Sequence, residues 1–294
     1  MKILVTGITG FVGRHLAECW KDRSDIELFG TGRSSDRNSY LPATVGYLPL
    51  EITNKEAVIN VVSSLKPDLV IHSAAMSKPN DCELEKDKCL DVNVNATKYV
   101  VDACKNANAR LIFMSSDMVF GDNGPYKEED EFCPVNYYGE SKVLAEQLVA
   151  ASGLDYAIVR TVLVYGSKLA GQNGTFLHWV YNNIFQGKTI RVFTDQHRTA
   201  CYVNDLCAGI DALVRTGQQG VYHICGKETF TPFEIARTVA RFHGLSEDLV
   251  QPVTNVEMPE VALRPRRSTL NVEKAESLLG YRATPLSEAL KASF

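Results

Sequence analysis

Residues 1–13 read Met1-Lys2-Ile3-Leu4-Val5-Thr6-Gly7-Ile8-Thr9-Gly10-Phe11-Val12-Gly13. The apolar, β-branched run from Lys2 to Thr6 predicts a strand, and the apolar spacing over 11–21 predicts a helix. Gly7, Gly10 and Gly13 occupy the turn between them. Glycine permits a tight turn and lets the backbone approach a ligand closely. The first N–H groups of a helix have no intrahelical acceptor and carry partial positive charge, so they attract phosphate. The GxxGxxG spacing differs by one residue from the GxGxxG dinucleotide fingerprint and uses the same physics. It predicts a pyrophosphate cradle formed by Gly7, Thr9, Gly10, Phe11, Val12 and Gly13.

Working outward, the next apolar run, 26–29, leads into Gly30-Thr31-Gly32-Arg33-Ser34. A dinucleotide site with a free ribose 2′-hydroxyl usually offers it a carboxylate here, whereas an arginine suits a 2′-phosphate. No carboxylate appears before Asp36, so Arg33 and Ser34 favour NADP over NAD. Further strands are predicted at 45–50, 69–72, 110–114 and 156–160, and helices at 55–65 (capped by Asn54), 83–106 and 137–151. Ala74 and Ala75, just beyond the 69–72 strand, are read as further cofactor contacts. Strands that are continuously apolar and alternate with helices predict a parallel sheet covered on both faces, an α/β doubly wound Rossmann fold.

After Gly166 helical patterns dominate, at 175–186, 204–214, 231–243, 272–279 and from 286 onward. Two short strand-like runs intervene, at 189–193 and 221–225, and Pro252, Pro259 and Pro265 mark a loop. The expected division is a Rossmann NADP-binding domain over 1–166, with strand and helix contributions from about 199–225. Residues 167–198 and 226–294 would form a smaller, helix-rich substrate-binding lobe. Such a lobe would close a cleft at the carboxyl ends of the strands, where open parallel sheets bind ligands.

Composition narrows the classes. The chain has 294 residues, 45% of them hydrophobic and 22% charged, with a formal net charge of −4. That is enough chain to bury a sizeable core, and it contains no basic block to suggest a nucleic-acid partner. No apolar run approaches the roughly 18 residues of a membrane span, and the opening residues lack the pattern of a secretory signal. A cytoplasmic protein is expected, and its eight cysteines are read as reduced, structural thiols. No Cys/His spacing suggests a metal site.

A second stretch carries the chemistry. Residues 110–114 deliver Ser115, Ser116 and Asp117 to a predicted strand end, and after a polar loop the helical pattern opens with Tyr138-Gly139-Glu140-Ser141-Lys142. Residues i and i+4 share a helix face. A phenol beside an ammonium, with a hydroxyl nearby, could protonate a carbonyl oxygen, because the cation stabilises phenolate and brings its pKa down from ~10. On its own the same spacing also describes a Tyr–Lys pair on a surface helix. A phosphate cradle earlier in the chain favours the chemical reading.

With the glycine turn, Ala74-Ala75, the Ser116 strand end and Tyr138-xxx-Lys142 in that order, the chain resembles the extended short-chain dehydrogenase/reductase superfamily. More narrowly, it resembles the dTDP-4-dehydrorhamnose reductase branch. The segments that carry this are Ser115-Ser116-Asp117, Gly124-Pro125-Tyr126, Asp195-Gln196, Tyr202-Val203-Asn204-Asp205 and Arg264-Pro265. The resemblance implies catalytic roles for Ser116, Tyr138 and Lys142. Tyr138 would be the general acid, Lys142 would bind the nicotinamide ribose and lower the Tyr138 pKa, and Ser116 would hold the substrate carbonyl. It also implies a place for Asn93 beneath the site, and Asp117, Leu163, Arg198 and Arg264 on the substrate side, the two arginines toward a diphosphate. The reaction implied is NADPH-dependent reduction of a 4-keto-6-deoxy nucleotide-sugar, and a homodimer is compatible with it. The resemblance also covers NAD-dependent epimerases and dehydratases. It covers as well a non-catalytic, NADP-binding regulatory subunit of methionine adenosyltransferase. Met118 stands where the branch often has Tyr, Leu163 where its reductases usually place Trp, and the proline expected near Cys201 is absent. All three departures fall on the substrate side.

Overall fold

The computed structural model describes residues 1–33 and 40–294. Ser34, read from sequence as a cofactor contact, lies outside the described residues. The centre of the molecule is a seven-stranded sheet. Its strands are β1 (Lys2–Thr6), β2 (Glu27–Gly32), β3 (Gly46–Pro49), β4 (Leu69–His72), β5 (Arg110–Ser116), β6 (Tyr156–Thr161) and, after three short strands outside the sheet, β10 (Gly220–His223). The spatial order is β10-β6-β5-β4-β1-β2-β3, and every neighbouring pair is parallel. This is the doubly wound Rossmann arrangement.

Strand order reverses between β1 and β4, so the chain leaves their carboxyl ends in opposite directions and opens a crevice there. Central strands are buried along almost their whole length, β4 without interruption. They have no polar face because helices cover both sides. One side carries α1 (Phe11–Trp20) and α8 (Val203–Thr216), and the other carries α2 (Lys55–Leu65), α5 (Ala96–Ala107) and α6 (Tyr137–Ala150). Asn54 caps α2 as expected, its side chain accepting from the Ala57 N–H at 3.1 Å.

The single helix expected over 83–106 is instead four pieces. They are α3 (Pro79–Leu84), α4 (Lys86–Leu90), a π-helical turn over Asp91–Asn95, and α5. Glu85 (φ −121, ψ 59) breaks the first junction, and the wide turn puts Asn93 inside the protein.

The later part of the chain builds around the carboxyl end of the sheet. It contains β7 (Val164–Tyr165), paired with β9 (Cys201–Tyr202), and β8 (Ile190–Phe193), paired in parallel with β11 (Val250–Val253). With them come α7 (Phe176–Phe185), α9 (Pro232–Phe242), α10 (Glu273–Leu279) and α11 (Leu286–Ser293). The 250–253 strand, with Pro252 inside it, replaces part of the expected loop. Among the described residues no helix is long and apolar enough to cross a membrane.

Candidate active site

The glycine turn forms as its spacing predicts. Gly7 sits at the end of β1 with φ +72, the left-handed region, and a Cβ there would lie 2.9 Å from the Ala74 backbone. The end of β1 and the loop after β4 therefore touch, and Thr6 joins them, its carbonyl accepting the Ser73 hydroxyl at 2.7 Å. At Gly13 a Cβ would fall 2.6 Å from both the Gly7 carbonyl oxygen and Ile8 Cα, so only glycine lets α1 pack this closely on the turn. Gly10 is the N-cap of α1 and is exposed, and the first turn of α1 holds no acidic residue. Thr9, Phe11, Val12, Ala74 and Ala75 all keep partial exposure around this mouth. Arg33, just past β2, is exposed and makes no side-chain hydrogen bond or ion pair among the described residues. Bare backbone, a positive helix end without competing carboxylates and an uncommitted guanidinium suit a phosphorylated dinucleotide.

A loop not singled out in the sequence covers this mouth. Buried Arg14 donates to the Ala170 carbonyl at 2.5 Å and the Tyr40 carbonyl at 3.0 Å. The Gln172 amide reaches the Gly10 and Phe11 carbonyls at 3.4 Å.

On the other side of the crevice, β5 delivers Ser115 and Ser116, and a single 3-10 turn over Asp117–Val119 follows. Asn136 caps α6, accepting the Gly139 N–H at 2.9 Å, and its amide donates to the Leu263 carbonyl at 2.8 Å. Tyr138 and Lys142 both point inward from α6 and are buried. The surface-helix alternative therefore does not describe them. Lys142 Nζ donates to the Met114 carbonyl at 2.9 Å and lies 4.8 Å above the Phe113 ring. Burial pulls its pKa down to about 8, opposed first by Glu146 and then by Cys89 and Cys82. Burial pushes the Tyr138 phenol above its ordinary range, and hydrogen bonding with Ser116 pulls it back.

Asn93 fixes the floor. Its side-chain oxygen accepts the Met76 N–H at 2.8 Å, and its amide nitrogen donates to the Met76 carbonyl and Ser141 Oγ, both at 3.0 Å. Beside it Cys82 and Cys89 pack against Tyr138, with Met76 and Met118 at the edge. The chain's eight cysteines are free thiols.

The residues assigned to substrate divide. Leu163 is 39% exposed and adopts φ +29. Arg264 is partly exposed, held by the Ala262 carbonyl at 2.7 Å, Asn80 Oδ1 at 3.0 Å and Glu260 at 3.2 Å. Asp117 and Arg198 instead turn inward. Asp117 accepts the Ser116 hydroxyl at 3.0 Å and the Ser268 hydroxyl, and burial raises its pKa. Arg198 donates to the carbonyls of His197 at 2.9 Å and Pro265 at 2.8 Å, and its Nε lies 3.9 Å from Asp117. Both are as buried as Lys142, and their side chains are engaged by partners within the protein. They tie the Pro265–Ser268 segment to the strand end that carries Ser116. Among the described residues, no group of three His, Cys, Asp or Glu side chains could hold a metal.

Comparison with known proteins places this geometry. The family model described as RmlD substrate binding domain matches residues 1–294. The dTDP-4-dehydrorhamnose reductase of Aggregatibacter actinomycetemcomitans is 27% identical over 99% of this chain and 97% of its own length. Methionine adenosyltransferase 2 subunit beta of Mus musculus is also 27% identical, over 99% of this chain and 86% of its own. A crystal structure of the Bacillus anthracis dTDP-4-dehydrorhamnose reductase in complex with NADP superposes with a TM-score of 0.84. It shares 28% identity and covers 99% of this chain and 97% of that one.

Proposed function

The chain belongs to the RmlD substrate binding domain family, within the extended short-chain dehydrogenases/reductases, and on that premise we propose that it is an NADPH-dependent reductase of a 4-keto-6-deoxy nucleotide-sugar. The observation that carries the reading is the convergence of two features on one crevice. These are a glycine turn at the carboxyl end of β1, with Arg33 just past β2, and a buried Ser116–Tyr138–Lys142 cluster at the carboxyl end of β5 in the same parallel sheet. Relatives described as dTDP-4-dehydrorhamnose reductases, one of them with NADP, support the reaction class and the cofactor. Residues 1–166, with about 199–225, are taken as the cofactor-binding unit, and 167–198 with 226–294 as the lobe over the sugar.

When bound, the nicotinamide would supply the hydride. The chain's own residues supply the proton and the alignment. Tyr138 donates its phenolic proton to the keto oxygen, while Ser116 holds that oxygen and Lys142 stabilises the phenolate left behind. Burial raises the energy of the phenolate, and a neighbouring cation would offset that cost. Arg264, partly exposed, and Leu163, 39% exposed, are taken as the residues that would meet the sugar nucleotide.

The test is NADPH oxidation with a panel of 4-keto sugar nucleotides. Turnover with one of them is expected, and Tyr138→Phe should reduce kcat by about 100-fold or more while NADPH affinity stays within a few-fold. Wild-type activity in that variant would remove Tyr138 as the acid. A second reading follows from the similarity to the methionine adenosyltransferase subunit, in which this chain would bind the cofactor without turning it over. NADPH binding without oxidation by any sugar nucleotide in the panel would favour it.

A further inference from the structure

Tyr138, Lys142 and Glu146 follow at four-residue intervals and form one buried stripe on α6. The proposed chemistry uses the first two and leaves the third without a role. Glu146 is only 2% exposed. Its carboxylate accepts Arg160 Nε at 3.0 and 3.2 Å, Arg160 Nη2 at 2.7 Å and the Ser115 hydroxyl at 2.5 Å. Arg160, on β6, is equally buried. It also donates to the Glu128 carbonyl at 3.0 Å, and its guanidinium lies over the Phe120 and Phe132 rings. An ion pair this dehydrated is a poor source of stability, since well-packed apolar residues often do as well or better. Its place one helical turn from the ammonium gives it another use.

We propose that Glu146 is a positioning residue for Lys142: fixed by Arg160 and Ser115, its carboxylate keeps the neighbouring ammonium charged and seated against the Met114 carbonyl. The titratable groups around Lys142 are His72 from β4, Cys82 from α3, Cys89 from α4, and Tyr138 and Glu146 one turn to either side on α6. Glu146 is the only carboxylate among them in the described residues. Arg160 faces Glu146 and, on its far side, the imidazole of His223 at 3.3 Å. Removing the Glu146 charge would leave two buried cations, Lys142 and Arg160, without the anion between them. Lys142, already held by burial at about 8, would then lose its proton more readily. The consequence for turnover rests on the reductase reading, but the effect on Lys142 does not.

The experiment is a 13Cε-lysine NMR titration of ligand-free protein, with the Lys142 signal assigned by Lys142→Met. In Glu146→Gln the Lys142 midpoint should fall by about one unit or more, and an unchanged midpoint would overturn the proposal. If that variant does not fold, Glu146→Gln combined with Arg160→Met removes both charges at similar volume. A midpoint below wild type is expected there too, and a wild-type midpoint refutes the role. Where a substrate is found, kcat/KM of Glu146→Gln should fall further at pH 8 than at pH 6. An equal loss at both would indicate a purely structural pair. A protein that turns over nothing would sink the reductase reading and leave the titration to decide on Glu146.

Discussion

Leu163 holds φ +29, a backbone region that costs a residue bearing a Cβ about 1–3 kcal/mol. It is also 39% exposed, so little burial offsets that strain. Leu163→Gly should therefore leave stability unchanged or raise it by up to about 1 kcal/mol in thermal or denaturant unfolding. Truncation of a buried leucine normally costs about 2–5 kcal/mol, and a loss of that size here would show that the side chain is structural. Arg33 poses a different question, because its side chain has no hydrogen-bond or ion-pair partner among the described residues. Arg33→Ala should weaken NADPH binding by about 10-fold or more, the value of one charge-assisted contact, and leave NADH binding nearly unchanged. Equal loss for both nucleotides would move the 2′-phosphate site elsewhere. Ser116, Tyr138 and Lys142 were legible in the sequence because their spacing expresses a local helix face and a strand end. The inward turn of Asp117 and Arg198 was not. Their partners, Ser268 and Pro265, lie far along the chain, and no local pattern records such a contact.

At the level of elements, α6 is the part whose exact seat matters, since it carries the whole Tyr138–Lys142–Glu146 stripe. Gly139 sets that seat. A Cβ on it would collide with the Met118 carbonyl oxygen, so α6 rests directly on the 3-10 turn that follows Ser116. Gly139→Ala must push the helix start off this turn and with it the Tyr138 hydroxyl. Displacements near 1 Å at a reacting group can cost about 100-fold. The variant should lose about 10-fold or more in kcat while keeping NADPH affinity within a few-fold, as fluorescence titration would show. Full activity would mean that α6 adjusts freely. A glycine inside a helical pattern was the available signal, because it normally weakens a helix and is kept for close packing. The broken 83–106 helix was less legible. Its apolar spacing runs on through Glu85, whereas the break and the π-helical turn serve the hydrogen bonds of Asn93 to Met76. The strand at 250–253 was hidden by Pro252, which an edge strand tolerates but a sequence pattern counts against.

Across the whole molecule, the parallel, doubly wound sheet was readable from the strand–helix alternation, but the buried polar interior that comes with it was not. His72 lies between Thr6 Oγ1 at 2.7 Å and Thr97 Oγ1 at 3.0 Å, and His223 between Arg160 and the Asn271 carbonyl. Burial lowers both to about 3, from an ordinary value of 6.5. Between those values the unfolded chain binds protons that the folded protein does not, so stability rises with pH across that window. Their contribution is intact above about pH 6.5 and is lost progressively as pH falls toward 3. Asp117, Glu128 and Asp205, raised by burial, act in the opposite sense. Holding protons more tightly when folded, they gain stability as pH falls through their folded values, which partly offsets the histidines at the acid end. The histidine effect should therefore be clearest between pH 7 and 5, at about 1.4 kcal/mol per unit below 6.5 for each fully shifted group. Scanning calorimetry should show Tm falling over that interval. His223→Gln, which keeps a hydrogen-bonding side chain without the titration, should flatten the fall even where it lowers Tm overall. An unchanged slope in that variant would mean that His223 does not stay neutral in the folded protein, and that the acid sensitivity arises elsewhere.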